Sequence, residues 1–171
     1  MQNPALVAPG QQPLPMNGEI FVLSRSGIGF SAKSGRHKFE GKGDLYLSTL
    51  RLVFVSKGHG DLQGFDLPLA TLVNESFNQP IFGANNLSGE SPPLEGTGLQ
   101  DIIKWVLYFN NGGVGTFLPL FFRLLSEMRN RMAQSEPTNA FTSVEAQQII
   151  QAAYVDPNDP SKLYVSQPTQ S

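Results

Sequence analysis

The stretch "KGDLYLSTLRLVFVSK", residues 42–57, decides the fold class. Its two runs, "DLYL" and "RLVFVS", are rich in β-branched and aromatic residues, and the Ser-Thr pair between them provides a turn. Within the second run, alternation places Leu52 and Phe54 on one face of a strand and Val53 and Val55 on the other. The stretch therefore predicts two neighbouring strands of a β-sheet.

Comparable short runs recur over residues 19–110. "EIFVLSR" and "GIGFSAK" come first, and a hairpin turn is expected between them at Ser26-Gly27. "LQGFDLPLA", "TLVNESF" and "IIKWVLYFN" follow, and the last of these alternates from Trp105 to Phe109, which indicates one buried face. Short strands separated by turn residues indicate an antiparallel barrel or sandwich.

The period then changes to that of a helix over "TFLPLFFRLLSEMRNRMAQ", residues 116–134. Thr116 is expected to cap its start, and one broad apolar face is expected to close the sheet. A second, shorter helix is predicted at residues 143–154. The apolar face of the first helix is predicted to comprise Phe117, Phe121, Leu124, Met128 and Met132, widened by Leu118, Phe122 and Leu125.

Composition along the chain suggests three parts. Residues 1–18 are rich in proline and carry no charged side chain, so they are expected to be a disordered arm. Residues 19–134 form the predicted domain, and residues 135–171 are a linker, the short helix and a flexible tail. The sequence begins with no recognisable signal peptide, and an intracellular location is expected, in the nucleus, the cytoplasm or at a membrane surface.

Catalytic chemistry is not expected from these residues. The sequence contains no cysteine, so disulfides, thiolate metal sites and a cysteine nucleophile are excluded. His37 and His59 lie in separate Gly-rich turns, and no metal-binding spacing, nucleophile elbow or complete dinucleotide fingerprint is present. The prediction is a non-enzymatic protein without a metal or cofactor.

The charges are unevenly distributed along the chain. Residues 25–57 carry seven basic and two acidic side chains, whereas residues 58–103 carry six acidic side chains and no basic one. The basic segment either faces an anionic partner such as membrane lipid or is a solvated polar face. Sequence-specific nucleic-acid binding is not expected, because the aromatic strand carries a single lysine. The candidate residues for lipid headgroups are Lys33, Arg36, His37, Lys38 and Lys42.

A second notable stretch, "NQPIFGANNLSGE", occupies residues 78–90. It is interpreted as a passage between strands, in which Pro80 ends a strand and Gly83 adopts a backbone angle that other residues disfavour. Ile81 and Phe82 are expected to fold inward. The specific prediction is a buried Phe82, and an exposed Phe82 would instead mark a partner-binding site.

Two motifs carry a family resemblance. Residues 42–57 resemble the core of GRAM domains, where a Gly-x-Leu-Tyr-Leu-Thr-like strand precedes an Arg-x-x-Phe strand. Residues 78–90 are similar to the Gln-Pro-x-Phe-Gly-Ala-Asn signature of the WW-domain-binding protein 2 family, which includes the postacrosomal sheath WW-domain-binding proteins. The likeness covers about residues 19–134. It implies a structural role for the signature residues Gln79, Pro80, Phe82, Gly83, Ala84 and Asn85.

The resemblance implies a pleckstrin-homology-like fold, mainly β, with about seven antiparallel strands in two near-orthogonal sheets and one carboxy-terminal helix. It also implies a non-enzymatic adaptor that acts as a nuclear transcription coactivator with transcription-related or chromatin-bound partners. The alternative is a peripheral membrane module that binds phosphoinositide or another anionic lipid. The family binds WW domains through Pro-Pro-x-Tyr motifs, which this sequence lacks, and this departure puts WW-domain binding in question.

Overall fold

The computed structural model describes residues 2–4, 6, 12–93, 97–134 and 162–163. Its elements follow one another as strands, then one long helix, then a short strand. They are β1 (Phe21–Ser34), β2 (His37–Ser48), β3 (Arg51–Ser56), β4 (Gly64–Pro68), a 3₁₀ turn (Leu69–Thr71), β5 (Val73–Asn78), β6 (Asn86–Ser91), β7 (Ile103–Phe109), α1 (Val114–Ala133) and β8 (Lys162–Leu163).

The strands form one curled antiparallel sheet in the order β4-β3-β2-β1-β7-β6-β5. Strand β1 lies in the middle of this order, between β2 and β7. It pairs with β2 along most of its length, but with β7 only from Ile28 to Lys33. Strand β8 pairs with the earlier part of β1 at Leu23 and Ser24. A seven-strand antiparallel sheet followed by one helix confirms the predicted fold class.

The hairpin predicted at Ser26-Gly27 is wrong. Strand β1 continues through this point, with an irregular register between Arg25 and Ile28, and the chain turns after Ser34 instead. Gly27 has a φ of +70°, and the side chain of Asn111 occupies the place where a Cβ would lie. A Ser-Gly pair reads locally as a turn, but a glycine with positive φ is also typical of a β-bulge that bends a strand.

The core lies between the curled sheet and α1. Trp105, Leu107 and Phe109 point into it from β7, as their alternation predicts, and Phe117 and Phe121 meet them from the helix. Gly89 is needed beneath Trp105, because a Cβ there would overlap the indole ring. The structure thus packs the largest side chain of the core against bare backbone.

The predicted helix is correct in extent but differs in two details. The residue before its first turn is Gly113, with a φ of +87°, and Thr116 lies buried inside the helix rather than capping it. Phe122 and Met132 were expected on the packed face, but they are 41% and 46% exposed. The packed face is narrower because the curl of the sheet covers only one side of α1.

The described part of the amino-terminal arm lies against the sheet. The Asn3 side chain accepts hydrogen bonds from the Gln63 and Gly64 amides at 2.8 and 3.3 Å. Leu6 packs on a small apolar cluster on the outside of the curl, which comprises Phe21, Tyr46, Val53 and Val55. Both faces of β3 are buried in consequence. The division into arm, domain and tail stays a prediction.

Residues 143–154, where a second helix is predicted, lie outside the described part of the chain. Within the described residues, no helix has the length and apolar character needed to cross a bilayer.

Candidate functional site

The candidate site lies on the outer face, which we define as the side of β5, β6, β7 and the adjoining parts of β1 and β2 that points away from α1. The register aligns its side chains in rows across the strands. One row contains Lys38, Lys33 and Lys104. Another, four residues further along the strands, contains Lys42, Gly29, Tyr108, Asn86 and Asn78.

We call Lys38, Lys33 and Lys104 the lysine row. Residues directly opposite each other in antiparallel strands have Cβ atoms roughly 5 Å apart, and like charges there are destabilising. Lys38 is paired with Glu40 at 2.9 Å and Lys104 with Glu90 at 3.8 Å. Lys33, in the middle, has no ion-pair partner among the described residues. An anion bound at this row would relieve the repulsion around Lys33.

Of the residues predicted to meet lipid, Arg36 and His37 lie exposed at the β1–β2 turn beside the lysine row. Lys42 is exposed on the same face, but in the row four residues away. Lys104 was missed by sequence reasoning, because only the pairing of β1 with β7 brings it opposite Lys33. The role of the predicted residues in lipid binding stays a prediction.

Two arginines of the basic segment are structural. Arg25 is 5% exposed and donates to the carbonyl oxygens of Gly112 and Asn111 at 3.0 and 2.7 Å, which holds the loop before α1. Arg51 is 3% exposed and is enclosed by Glu19 and Asp66. The net positive charge of the segment therefore overstates the positive charge that reaches the surface.

Two shallow depressions flank β2, one on each side. One, of about 470 Å³, is on the outer face and is lined by residues that include Ser31, Glu40, Lys42 and Tyr108. The other, of about 480 Å³, lies under the β3–β4 loop and includes Asp61 together with Glu40 and Lys42. Both depressions contain acidic and basic side chains.

The prediction that Phe82 is buried is wrong. Ile81 and Phe82 form the tip of the loop between β5 and β6, where they are 93% and 91% exposed. The expected inward fold fails because β5 and β6 pair with each other up to Asn78 and Asn86, so the loop between them projects from the end of the sheet. We call these two residues the tip.

The base of this loop is held by hydrogen bonds. The Asn78 side-chain amide donates to Asn86 Oδ1 at 3.0 Å and to Ser88 Oγ at 3.3 Å. The backbone oxygen of Asn85 accepts from the Phe109 amide at 2.9 Å, which ties the loop to β7. The loop therefore presents its tip from a hydrogen-bonded base.

The two histidines of the chain lie at separate places in the structure. No cluster of histidine, cysteine and acidic side chains that could hold a metal ion occurs among the described residues. His37 lies at the β1–β2 turn, and His59 lies with Asp61 in the exposed β3–β4 loop.

The curled sheet closed by one helix defines the class as a pleckstrin-homology-like domain. Among solved structures, the Vps36 N-terminal PH domain is similar, with a TM-score of 0.55 and 16% identity over 72% of this chain and 91% of that one. This likeness shows the fold alone. No family model matches the sequence.

The particular relatives are WW domain-binding proteins. Human WW domain-binding protein 2 is 34% identical over 76 residues, 44% of this chain and 29% of that protein. The postacrosomal sheath WW domain-binding protein of Macaca fascicularis is 26% identical over 119 residues, 66% of this chain and 47% of that protein. A UPF0664 stress-induced protein of Schizosaccharomyces pombe is 36% identical over 89 residues, 52% of this chain and 51% of that protein.

These similarities confirm the resemblance found in the two sequence motifs. The chain spans about half the length, or less, of the curated relatives it matches. Their names describe binding proteins and a stress-induced protein.

Proposed function

We propose that the chain is a non-enzymatic adaptor of the WW domain-binding protein 2 type, and that the tip is a protein-binding element. The observation that carries the proposal is the 91% exposure of Phe82, next to an equally exposed Ile81. Single exposed apolar side chains are common, but two neighbouring large ones forgo roughly 1.5–3 kcal/mol each of burial energy. Burial against a partner recovers this energy.

A nuclear coactivator role with transcription-related or chromatin-bound partners is the finer form of the proposal, supported by the resemblance of the sequence to the family. WW-domain binding, which the relatives' names describe, is not part of it, because the sequence contains no Pro-Pro-x-Tyr. The adaptor proposal does not depend on either point.

The test compares three tagged forms of the full chain in cells of the native organism. These are the wild type, the double variant Ile81→Ser/Phe82→Ser, and Met132→Ser as a control at an exposed apolar residue on α1. Partner proteins should be retained by the wild type and the control and reduced about tenfold by the double variant. Equal recovery by all three forms contradicts the role of the tip, and partners without any transcription or chromatin protein contradict the coactivator form.

A second candidate function is peripheral binding to anionic lipid through the lysine row. The observation that favours it is Lys33, which lies between two lysines without a counter-ion among the described residues. Each lysine near an anionic surface contributes about 1 kcal/mol. The acidic side chains of Glu40 and Glu90 already offset part of this charge, so the expected affinity is modest.

Vesicle sedimentation with and without phosphatidylserine or phosphoinositide, at low and physiological salt, tests this candidate. Lys33→Glu should weaken binding by at least about fivefold, from the loss of one contact of about 1 kcal/mol. Lys57→Glu is the control, because it changes the net charge by the same amount outside the lysine row. Lys57 directly follows β3 and pairs with Asp44. Wild-type binding that ignores both anionic lipid and salt excludes the candidate.

A further inference from the structure

The surroundings of the tip indicate which kind of partner it fits, an inference that rests on the proposed function. A pair of exposed apolar side chains could enter a bilayer, a second copy of this chain, or a pocket in another protein. The charges and pockets near the tip distinguish these occupants.

No charged residue lies close to the tip along its own strands. Residues 76–89, which comprise the loop and the strand residues next to it, are all uncharged. Glu75 is three residues before Asn78, and Lys104 is four residues from Tyr108, which are separations of about 10 and 13 Å along a strand. Lys42 shares the row of Asn78 but lies four strands away, about 19 Å across the sheet.

This uncharged setting argues against a bilayer. Apolar segments that bind anionic membranes are accompanied by lysine or arginine, whose attraction to the headgroups supports insertion. The lysine row lies at the opposite end of the outer face, so it does not accompany the tip into the same surface. The interface cores of protein complexes, in contrast, are depleted of charge and enriched in aromatic residues.

A second copy of the chain offers no matching pocket in either depression described above. Both depressions beside β2 carry Glu40 and Lys42, and burying Phe82 there would desolvate those charges. These two depressions therefore do not suit the tip, and a second copy of the chain is kept as an outcome of the test below.

The neighbours of the tip complete the description of the partner. Asn78, Gln79, Asn85, Asn86 and Tyr108, which we call the rim, combine exposed or half-buried amides with one phenol. We infer that the tip inserts into an apolar pocket of a different folded protein, and that this pocket is bordered by uncharged hydrogen-bonding groups which meet the rim. The hydrogen-bonded base of the loop favours such insertion, because less conformational freedom is lost on binding.

Site-specific photocrosslinking in the full chain tests the inference. A benzoylphenylalanine replaces Phe82, and in a control it replaces Ile102, which is 55% exposed elsewhere. After irradiation in cells of the native organism, a discrete protein adduct is expected at position 82 and not at 102. Its yield should change less than about twofold when lysates are crosslinked at high salt, because the contact is uncharged.

Charge on the rim provides the decisive comparison. In Asn86→Asp, a carboxylate oxygen still accepts the hydrogen bond of Asn78, so the base of the loop is kept while the rim gains a charge. The adduct should fall about tenfold, because the charge is desolvated against an uncharged border. Asn130→Asp, the same change on the exposed side of α1, should leave the yield unchanged.

The outcomes separate the inference from the proposed function. A protein adduct that falls with salt, or that survives Asn86→Asp, overturns the uncharged pocket and leaves the adaptor proposal standing. An adduct with lipid or with a second copy of the chain overturns the inferred partner. No adduct at position 82 overturns both the inference and the role of the tip.

Discussion

Replacement of Arg51 by methionine tests whether this buried arginine stabilises the fold, in contrast to the exposed charges of the basic segment. The Arg51 side chain is 4% exposed and donates four hydrogen bonds. Two reach the Glu19 carboxylate, at 2.8 and 3.1 Å, one reaches Asp66 Oδ2 at 3.0 Å, and one reaches the Leu14 carbonyl oxygen at 2.9 Å. The guanidinium thus joins the segment before β1 to β3 and β4.

The expected loss of stability follows from burial. Burial lowers the pKa of Arg51, but hydrogen bonds and attraction from Glu19 and Asp66 raise it by more, so that it lies above the ordinary arginine value. The group is therefore always charged, and its removal takes the guanidinium away from the buried carboxylates of Glu19 and Asp66. Breaking such a buried pair costs about 3–5 kcal/mol. A domain of this size has a total stability of only about 5–15 kcal/mol.

Lys57→Met provides the matched control. Lys57 pairs with Asp44 at 2.9 Å, a distance close to those around Arg51, but its side chain is 59% exposed. An exposed pair of this kind contributes about 0–1 kcal/mol. The comparison holds the ion-pair distance nearly constant and changes the burial.

Urea unfolding followed by fluorescence of the single, fully buried Trp105 measures both variants. With a urea dependence of about 2 kcal/mol/M, Arg51→Met should lower the midpoint by about 1.5–2.5 M, and Lys57→Met by no more than about 0.5 M. If Arg51→Met unfolds near the wild-type midpoint, or if the two variants lose equal stability, the assignment of Arg51 to a structural role is refuted.

Two further changes test the packing of the core and of the arm. Gly89→Ala should cost about 1–3 kcal/mol, because its Cβ overlaps the Trp105 ring, while Gly60→Ala, which meets no atom within 4 Å, should leave the thermal midpoint nearly unchanged. A loss in Gly60→Ala as large as that in Gly89→Ala would contradict this explanation. Asn3→Ala removes the acceptor of the Gln63 amide, so hydrogen exchange at that amide should quicken, and unchanged exchange would show that the arm is not held there.

The sheet could be predicted from local sequence where one face meets the core. Alternation in "RLVFVS" and "IIKWVLYFN" marked the inward residues of β3 and β7 correctly. The bend of β1 could not be predicted in this way, because a Ser-Gly pair fits both a hairpin turn and a bulge. Only pairing with β7 beyond Gly27, a contact between distant parts of the chain, decides between them.

The binding surfaces were less accessible to sequence reasoning, for two physical reasons. Lys104 joins Lys33 through strand register, and no spacing along the chain reveals that pairing. Phe82 was expected inside because apolar side chains usually gain from burial. That expectation does not consider the position of the loop relative to the core. Here the paired strands β5 and β6 place the loop beyond the end of the sheet, where no core is within reach.

The two apolar patches outside the main core differ in whether the described residues cover them. Val53 and Val55 lie on the outside of the curl, and the chain covers them with Leu6 from its own arm. Ile81 and Phe82 are as apolar, yet no segment of the described residues covers them. The described residues bury one outer patch, and burial of the tip against a partner, as proposed above, recovers a comparable energy. This contrast supports the proposal that the tip is a binding element.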